Sequence, residues 1–253
     1  MNLSRTKKLI TGITAAALIL AAGLPAAMAE EEAPSADASV GFYSKYVWRG
    51  FELSKDSIVI QPSLTTSYKG FSANLWANLD TDLYTSDGNK WDETDFTLSY
   101  DGAYDKLGYG VGWIYYALDS LDDSQEFYGT VSYDVLLSPS LTVYYDTDHF
   151  GGAWYVDLSV GHSIAFNENL SLDLGLSLSY MDDNEDYNAL HNGLVSASMT
   201  FPVNEYISIT PELYYSFPLS SDAEDYIAAT NTANGFSNDD NYVYGGVSAS
   251  FSF

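Results

Sequence analysis

Cysteine is absent from all 253 residues. That excludes disulfides, thiolate metal sites and export as a lipoprotein acylated on Cys. Basic residues are scarce: nine Lys and Arg stand against 35 Asp and Glu, a formal net charge of −26. Such a chain repels phosphate polyanions, so nucleic acid and anionic membrane surfaces are poor partners. With three His and no thiol, a transition-metal site would need two His joined by carboxylates. Beyond residue 29 no run approaches 18 consecutive apolar residues, which excludes a transmembrane helix.

The one long apolar stretch lies at the start. Arg5, Lys7 and Lys8 precede an apolar run over 9–24, and Ala27-Met28-Ala29 follows as a small-x-small triplet. This reads as a cleaved secretory signal peptide over 1–29, and a short disordered periplasmic leader over 30–37 follows it. Residues 38–253 are then one domain.

What this domain has in quantity is aromatic residues, 15% of the chain with 22 Tyr, and a period of two. Leu170, Leu172, Leu174, Leu176, Leu178 and Tyr180 alternate with Ser171, Asp173, Gly175, Ser177 and Ser179. A helix cannot gather such a pattern on one face, but a strand must. Strands are predicted over 38–48, 57–68, 71–80, 93–101, 106–117, 125–135, 141–148, 153–164, 170–181, 192–202, 206–217 and 241–253. Short turns and longer links alternate between them, with the tight link at 149–152 as the exception. An even strand count with that alternation predicts an all-β antiparallel transmembrane barrel of about 12 strands in the outer membrane of a Gram-negative bacterium.

Aromatics recur near both ends of these strands, as interfacial girdles do. Tyr46, Trp48, Trp113 and Trp154 are assigned to the loop-side girdle, with Tyr244 among others, and Phe201 to the turn side. A soluble β-sandwich is the competing fold. It would normally carry more Lys and Glu on its wet face than the Ser, Thr, Gly and Asn found here.

Two motifs carry a resemblance. Phe251 and Phe253, behind Val247 and Ala249 at every second place, look like the C-terminal signature of outer-membrane barrels. Tyr43-Ser-Lys-Tyr46-Val47-Trp48-Arg49-Gly50, followed by Gln61-Pro62 and the aromatic-rich stretch 71–79, resembles the first strands of the TorF-type porin family. The resemblance implies a pore, recognition of Phe251 and Phe253 by the barrel-assembly machinery, and contact with outer-membrane lipid and lipopolysaccharide.

Strand parity sends Lys45 and Arg49 to the lumen face, with Asp95, Glu126, Asp134, Asp146, Asp157, Asp173 and Glu212. Few cations among many carboxylates read as a constriction that selects small cations or zwitterions, or as ion pairs that fix the lumen. For Arg49 an ion pair is favoured, because its fork matches a carboxylate. The loops are acidic, and Asp182, Asp183, Glu185 and Asp186 are a weak divalent-cation candidate without the spacing of an EF-hand. A His149–His191 metal pair requires their loops to meet. Gly108, Gly110 and Gly112 leave room in the lumen rather than cradling a phosphate. His162 and Ser163 are adjacent and so face opposite ways, and catalysis is discounted. No cofactor is expected.

The expected function is a narrow passive outer-membrane channel for small polar or cationic solutes. The alternatives are a closed barrel with a structural or surface-binding role, its lumen blocked by side chains or by the link 218–240, and a secreted β-sandwich that binds polysaccharide.

Overall fold

A computed structural model describes residues 33–55, 57–82, 90–119, 121–167 and 170–253. The expected signal peptide and the start of the expected leader lie outside the described residues. The wall consists of twelve strands: β1 (Ser35–Tyr43), β4 (Val59–Tyr68), β5 (Phe71–Asp80), β6 (Trp91–Tyr104), β7 (Leu107–Leu118), β8 (Ser124–Tyr133), β9 (Ser140–Asp146), β10 (Trp154–Asn167), β11 (Leu170–Asp182), β12 (Asn188–Met199), β14 (Ile207–Pro218) and β15 (Tyr242–Ser252). A ribbon of β2 (Val47–Trp48) and β3 (Phe51–Glu52) is inserted after β1, β13 (Phe201–Pro202) prolongs the pairing along β14, and helix α1 (Ser221–Ala233) precedes β15.

Each wall strand is antiparallel to its neighbours. The sheet closes where β1 pairs with β15, the two backbones also exchanging Ala36 N–Phe253 O and Phe253 N–Ala36 O bonds of 2.9 Å. Closure leaves no unpaired edge, the condition a sheet must meet to cross a bilayer. The period-two pattern becomes two surfaces. On β11 Leu174, Leu176 and Leu178 are exposed on the outside while Ser177 and Ser179 are buried inside. The outer face continues through Leu64, Leu75, Leu98, Phe127, Leu158, Val195 and Leu213, an apolar band that belongs in lipid.

Three expectations need correction. Residues 35–37, read as disordered leader, are already paired in β1, Asp37 opposite Ser252. The first strand ends at Tyr43 rather than at 48. Arg49 and Gly50 both have positive φ, 50° and 88°, and the two-residue turn they make reverses the chain into the β2–β3 ribbon. The link over 218–240 contains α1. Ser220 caps it by accepting a bond from Ala223 N at 3.1 Å, and Asp222 and Glu224 sit in its positive first turn.

The hydrophobic core lies inside the barrel, toward the loop end. Tyr43, Tyr46, Val47, Val59, Trp76, Leu194, Tyr214, Tyr242 and Tyr244 form it. Toward the turn end the interior is lined by small polar residues. Ser67–Ser72 (2.8 Å), Thr130–Thr142 (2.9 Å) and Ser208–Ser250 (2.6 Å) hydrogen-bond there.

Candidate functional site: the hairpin inside the lumen

The wall opens at Tyr43 and resumes at its pairing partner Val59. The intervening segment folds into the barrel instead of away from it. Its base is pinned by Leu53 N to Tyr46 O (2.9 Å) and Tyr46 N to Ser54 Oγ (2.7 Å). Lys45 and Glu52 form an ion pair at the ribbon's base. Arg49 is at the tip.

The tip is held from the opposite wall. His191 Nε2 lies 2.8 Å from Arg49 O, and its Nδ1 lies 2.7 Å from the Tyr187 hydroxyl. A carbonyl oxygen only accepts, so Nε2 carries the proton and Nδ1 accepts from Tyr187. Both ring nitrogens are therefore engaged, and His191 is fully buried on β12 rather than on a loop. A metal pair with His149 is thus not assembled, because His149 instead sits 3.9 Å from Asp122 at the loops. A Cβ on Gly50 would stand 3.1 Å from Ile227 Cδ1 and 3.2 Å from Asn192 Cβ, so glycine suits both the φ and the space.

Beyond the tip the Arg49 guanidinium meets Glu126 in a two-pronged bond of 2.6 and 2.7 Å. Its Cζ lies over the rings of Trp48 and Tyr155 (4.3 Å each) and Tyr144 (4.8 Å). Tyr116 donates to the second oxygen of Glu126 at 2.8 Å. Burial opposes the charge on Arg49, but Glu126 outweighs it and holds the guanidinium protonated.

Helix α1 packs against this hairpin at the loop end. Asn231 accepts from Glu52 N (3.0 Å) and donates to Tyr242 Oη (2.7 Å) and Asp239 O (3.1 Å). Ser237 donates its Oγ to Glu52 at 2.7 Å. Tyr226 stacks on Tyr187 with centroids 3.8 Å apart and donates to Asp183 at 3.0 Å. Burial and that carboxylate push the Tyr226 hydroxyl up to about 12. Sequence reasoning missed Glu52, His191 and Asn231 as parts of the site. The Ser-Ser-Asp-Ala-Glu start of α1 was the available signal.

The predicted lumen residues divide. Glu126, Asp146, Asp157 and Glu212 are buried on the inner face, and Asp95 shares it. Asp173 also faces in, near Ser171 at 3.3 Å. Glu212 accepts from Tyr43 (3.0 Å), Ser248 (2.8 Å) and Tyr214. Asp134 is a correction: β8 stops at Tyr133, and Asp134 is exposed in the turn. Its parity was right, but the strand ends one residue before it. Of the girdle residues, Trp154 and Phe201 are exposed outside, and Trp113 lies 6.4 Å from outward-facing Phe96. Tyr46, Trp48 and Tyr244 are corrections. They line the interior, Tyr46 and Trp48 because the hairpin carries them inward and Tyr244 because of its position on β15. Phe251 and Phe253 are exposed at the terminal strand end.

The acidic loop is organised by its own backbone. Asp182 accepts from Asn184 N (2.9 Å), and Asp183 from Glu185 N (2.9 Å) and Tyr187 N (3.0 Å). Among the described residues no group of three or more His, Cys, Asp or Glu is placed to hold a metal ion. Gly112 leaves room that the Tyr128 ring occupies, 2.4 Å from where a Cβ would stand.

Between the hairpin and the wall is a cavity of about 130 Å³. Asp95, Asp157, Trp76, Tyr116, Tyr144, Tyr155 and Tyr244 line it, with Trp48 and Arg49 from the hairpin. Asp95 Oδ1 and Asp157 Oδ1 are buried without a hydrogen-bond partner among the described residues.

No family model matches the chain, and no curated protein is similar to it. Solved structures are. A structure of the NanC porin shares 12% identity at a TM-score of 0.54, covering 86% of this chain and 98% of that one. An outer membrane channel from Pseudomonas putida F1 shares 9% identity (TM-score 0.48, 91% and 97% covered). LpxR from Salmonella typhimurium shares 8% (TM-score 0.48, 87% and 99% covered). The discounting of catalysis made from sequence is withdrawn, because a likeness of fold at these identities decides neither for nor against an enzyme. At these identities the likeness speaks to fold, and the fold of this chain is that of the outer-membrane, porin-like β-barrels.

Proposed function

We propose that the protein is a narrow outer-membrane channel whose constriction is the Arg49 hairpin and whose lumen favours small cations. The observation that carries this is the charge balance inside. Among the described residues the two interior cations are each matched, Lys45 by Glu52 and Arg49 by Glu126. Asp146, Asp157 and Glu212 remain as carboxylates on the wall around them. A low-dielectric constriction with an excess of carboxylates attracts cations and repels anions. The exposed Phe251 and Phe253 support recognition by the barrel-assembly machinery, and the apolar band supports contact with lipid and lipopolysaccharide. Planar bilayers under a KCl gradient test the reading. A reversal potential on the potassium side is expected, and an anion preference overturns it.

A second reading draws on one observation: α1 is tied to the hairpin at the loop end, Asn231 bridging Glu52 to Tyr242. A barrel shut at that end serves as a surface or structural element. It predicts no current at any voltage and no liposome swelling with small sugars.

A further inference from the structure

We infer that the cavity between the hairpin and the wall is a binding site for a small organic cation, an alkyl-ammonium or alkyl-guanidinium. The inference deepens the cation-preferring reading above, and its test is separate.

The two buried carboxylate oxygens come first. Asp95 Oδ1 and Asp157 Oδ1 lack a partner among the described residues, and both residues line the same cavity. A buried acceptor without a donor is costly, and a carboxylate oxygen is most relieved by a cationic N–H. Arg49 does not meet this need, because both its terminal nitrogens face Glu126.

The walls define the class of cation. Trp76, Tyr116 and Tyr244 line it with aromatic rings, which attract a cation but do not coordinate a hard metal ion. The same box already accepts a planar cation, since the Arg49 guanidinium lies 4.3 Å above Trp48 and Tyr155. The space is about 130 Å³. One water needs roughly 10–15 Å³ by the same measure, so a ligand of several heavy atoms fits and a peptide or sugar chain does not.

The experiment uses the detergent-purified, folded protein and ethylguanidinium chloride. Calorimetry at matched ionic strength, with sodium chloride as reference, should show saturable one-site binding, with a fluorescence change from Trp48 and Trp76. Asp95→Asn and Asp157→Asn should each weaken binding about tenfold, the scale of one lost charge-assisted hydrogen bond. Binding that is absent in the wild type, or unchanged in both variants, overturns the site. Should the variants not fold, ethylsulfonate decides on the wild type: it should not bind, and equal binding of this anion overturns the inference. Calorimetry needs no open pore. A barrel that binds ethylguanidinium but carries no current keeps the site and refutes the channel. A cation-selective pore that does not bind it refutes the site alone.

Discussion

The two halves of this lumen are built on different physics. Toward the turns, the interior wall is Ser, Thr and Asn paired across strands, as in Asn74 to Ser63 and Thr65 at 2.8 Å each. Toward the loops it is Tyr, Trp and carboxylate packed around an inserted hairpin. The first arrangement satisfies small neutral polar groups with one another across strands, and a neutral hydrogen bond contributes little net energy wherever water can replace it. The second removes charges from water and must pair them. A barrel wall needs only closure to be stable, and the turn half supplies no more than that. The loop half carries the structure that a solute would meet.

This comparison can be broken by mutations in the loop half, ordered by expected effect. Glu126→Ala leaves the Arg49 guanidinium buried without its partner. A loss of about 3–5 kcal/mol is expected by urea unfolding of the lipid-refolded barrel. A loss under about 1 kcal/mol would mean that the hairpin swings free and the loop half is not packed as described. Asn231→Ala removes one acceptor and two donor bonds that tie α1 to Glu52, Asp239 and Tyr242. It should cost about 1–3 kcal/mol. Bilayer recordings should show larger current fluctuations as α1 loosens over the mouth. Gly50→Ala places a Cβ at φ 88°, between Ile227 and Asn192. About 1–2 kcal/mol is expected from the left-handed backbone alone, read in the same unfolding assay. Native stability with a shifted tip would show as lost binding of ethylguanidinium without lost folding.

How much of this was legible beforehand differs between the same two halves. The wall was legible because a period of two can be satisfied in one way once one face meets lipid. Leu170 through Tyr180 and Val247 through Phe253 dictate their strands locally. Inward placement of Glu126, Asp157 and Glu212 followed from the same parity. The hairpin was not legible. Val47 and Trp48 are good strand residues, and extending β1 through them obeyed every local rule. The decision lay in Arg49-Gly50, a turn pair whose first member is not one of the usual Asn or Asp. Arg49 holds φ 50° because Glu126, 77 residues away in sequence, and His191, 142 away, hold it there. Contacts of that separation are invisible to a window of neighbours. Tyr46, Trp48 and Tyr244 were misassigned to the girdle because aromatic type is shared by lipid interfaces and packed interiors, and only burial separates them.

The smallest effect provides the sharpest control, because it asks whether the turn half is as undemanding as it looks. Ser208→Ala deletes the hydroxyl that meets Ser250 at 2.6 Å. Both side chains are only partly buried, on an inner face of similar small polar residues, so Ser250 retains access to water once its partner is gone. The loss then reduces to one neutral hydrogen bond exchanged for a solvent bond. A change within about 0.5 kcal/mol is expected in the unfolding assay, with the reversal potential unmoved. The expectation depends on that water. If Ser208→Ala cost as much as Asn231→Ala, the turn-half hydroxyls would be desolvated, and the interior would be one continuous packed core rather than a wet vestibule beneath a constricted mouth. The division on which the channel reading rests would then fail at its inner boundary, whatever the hairpin does above it.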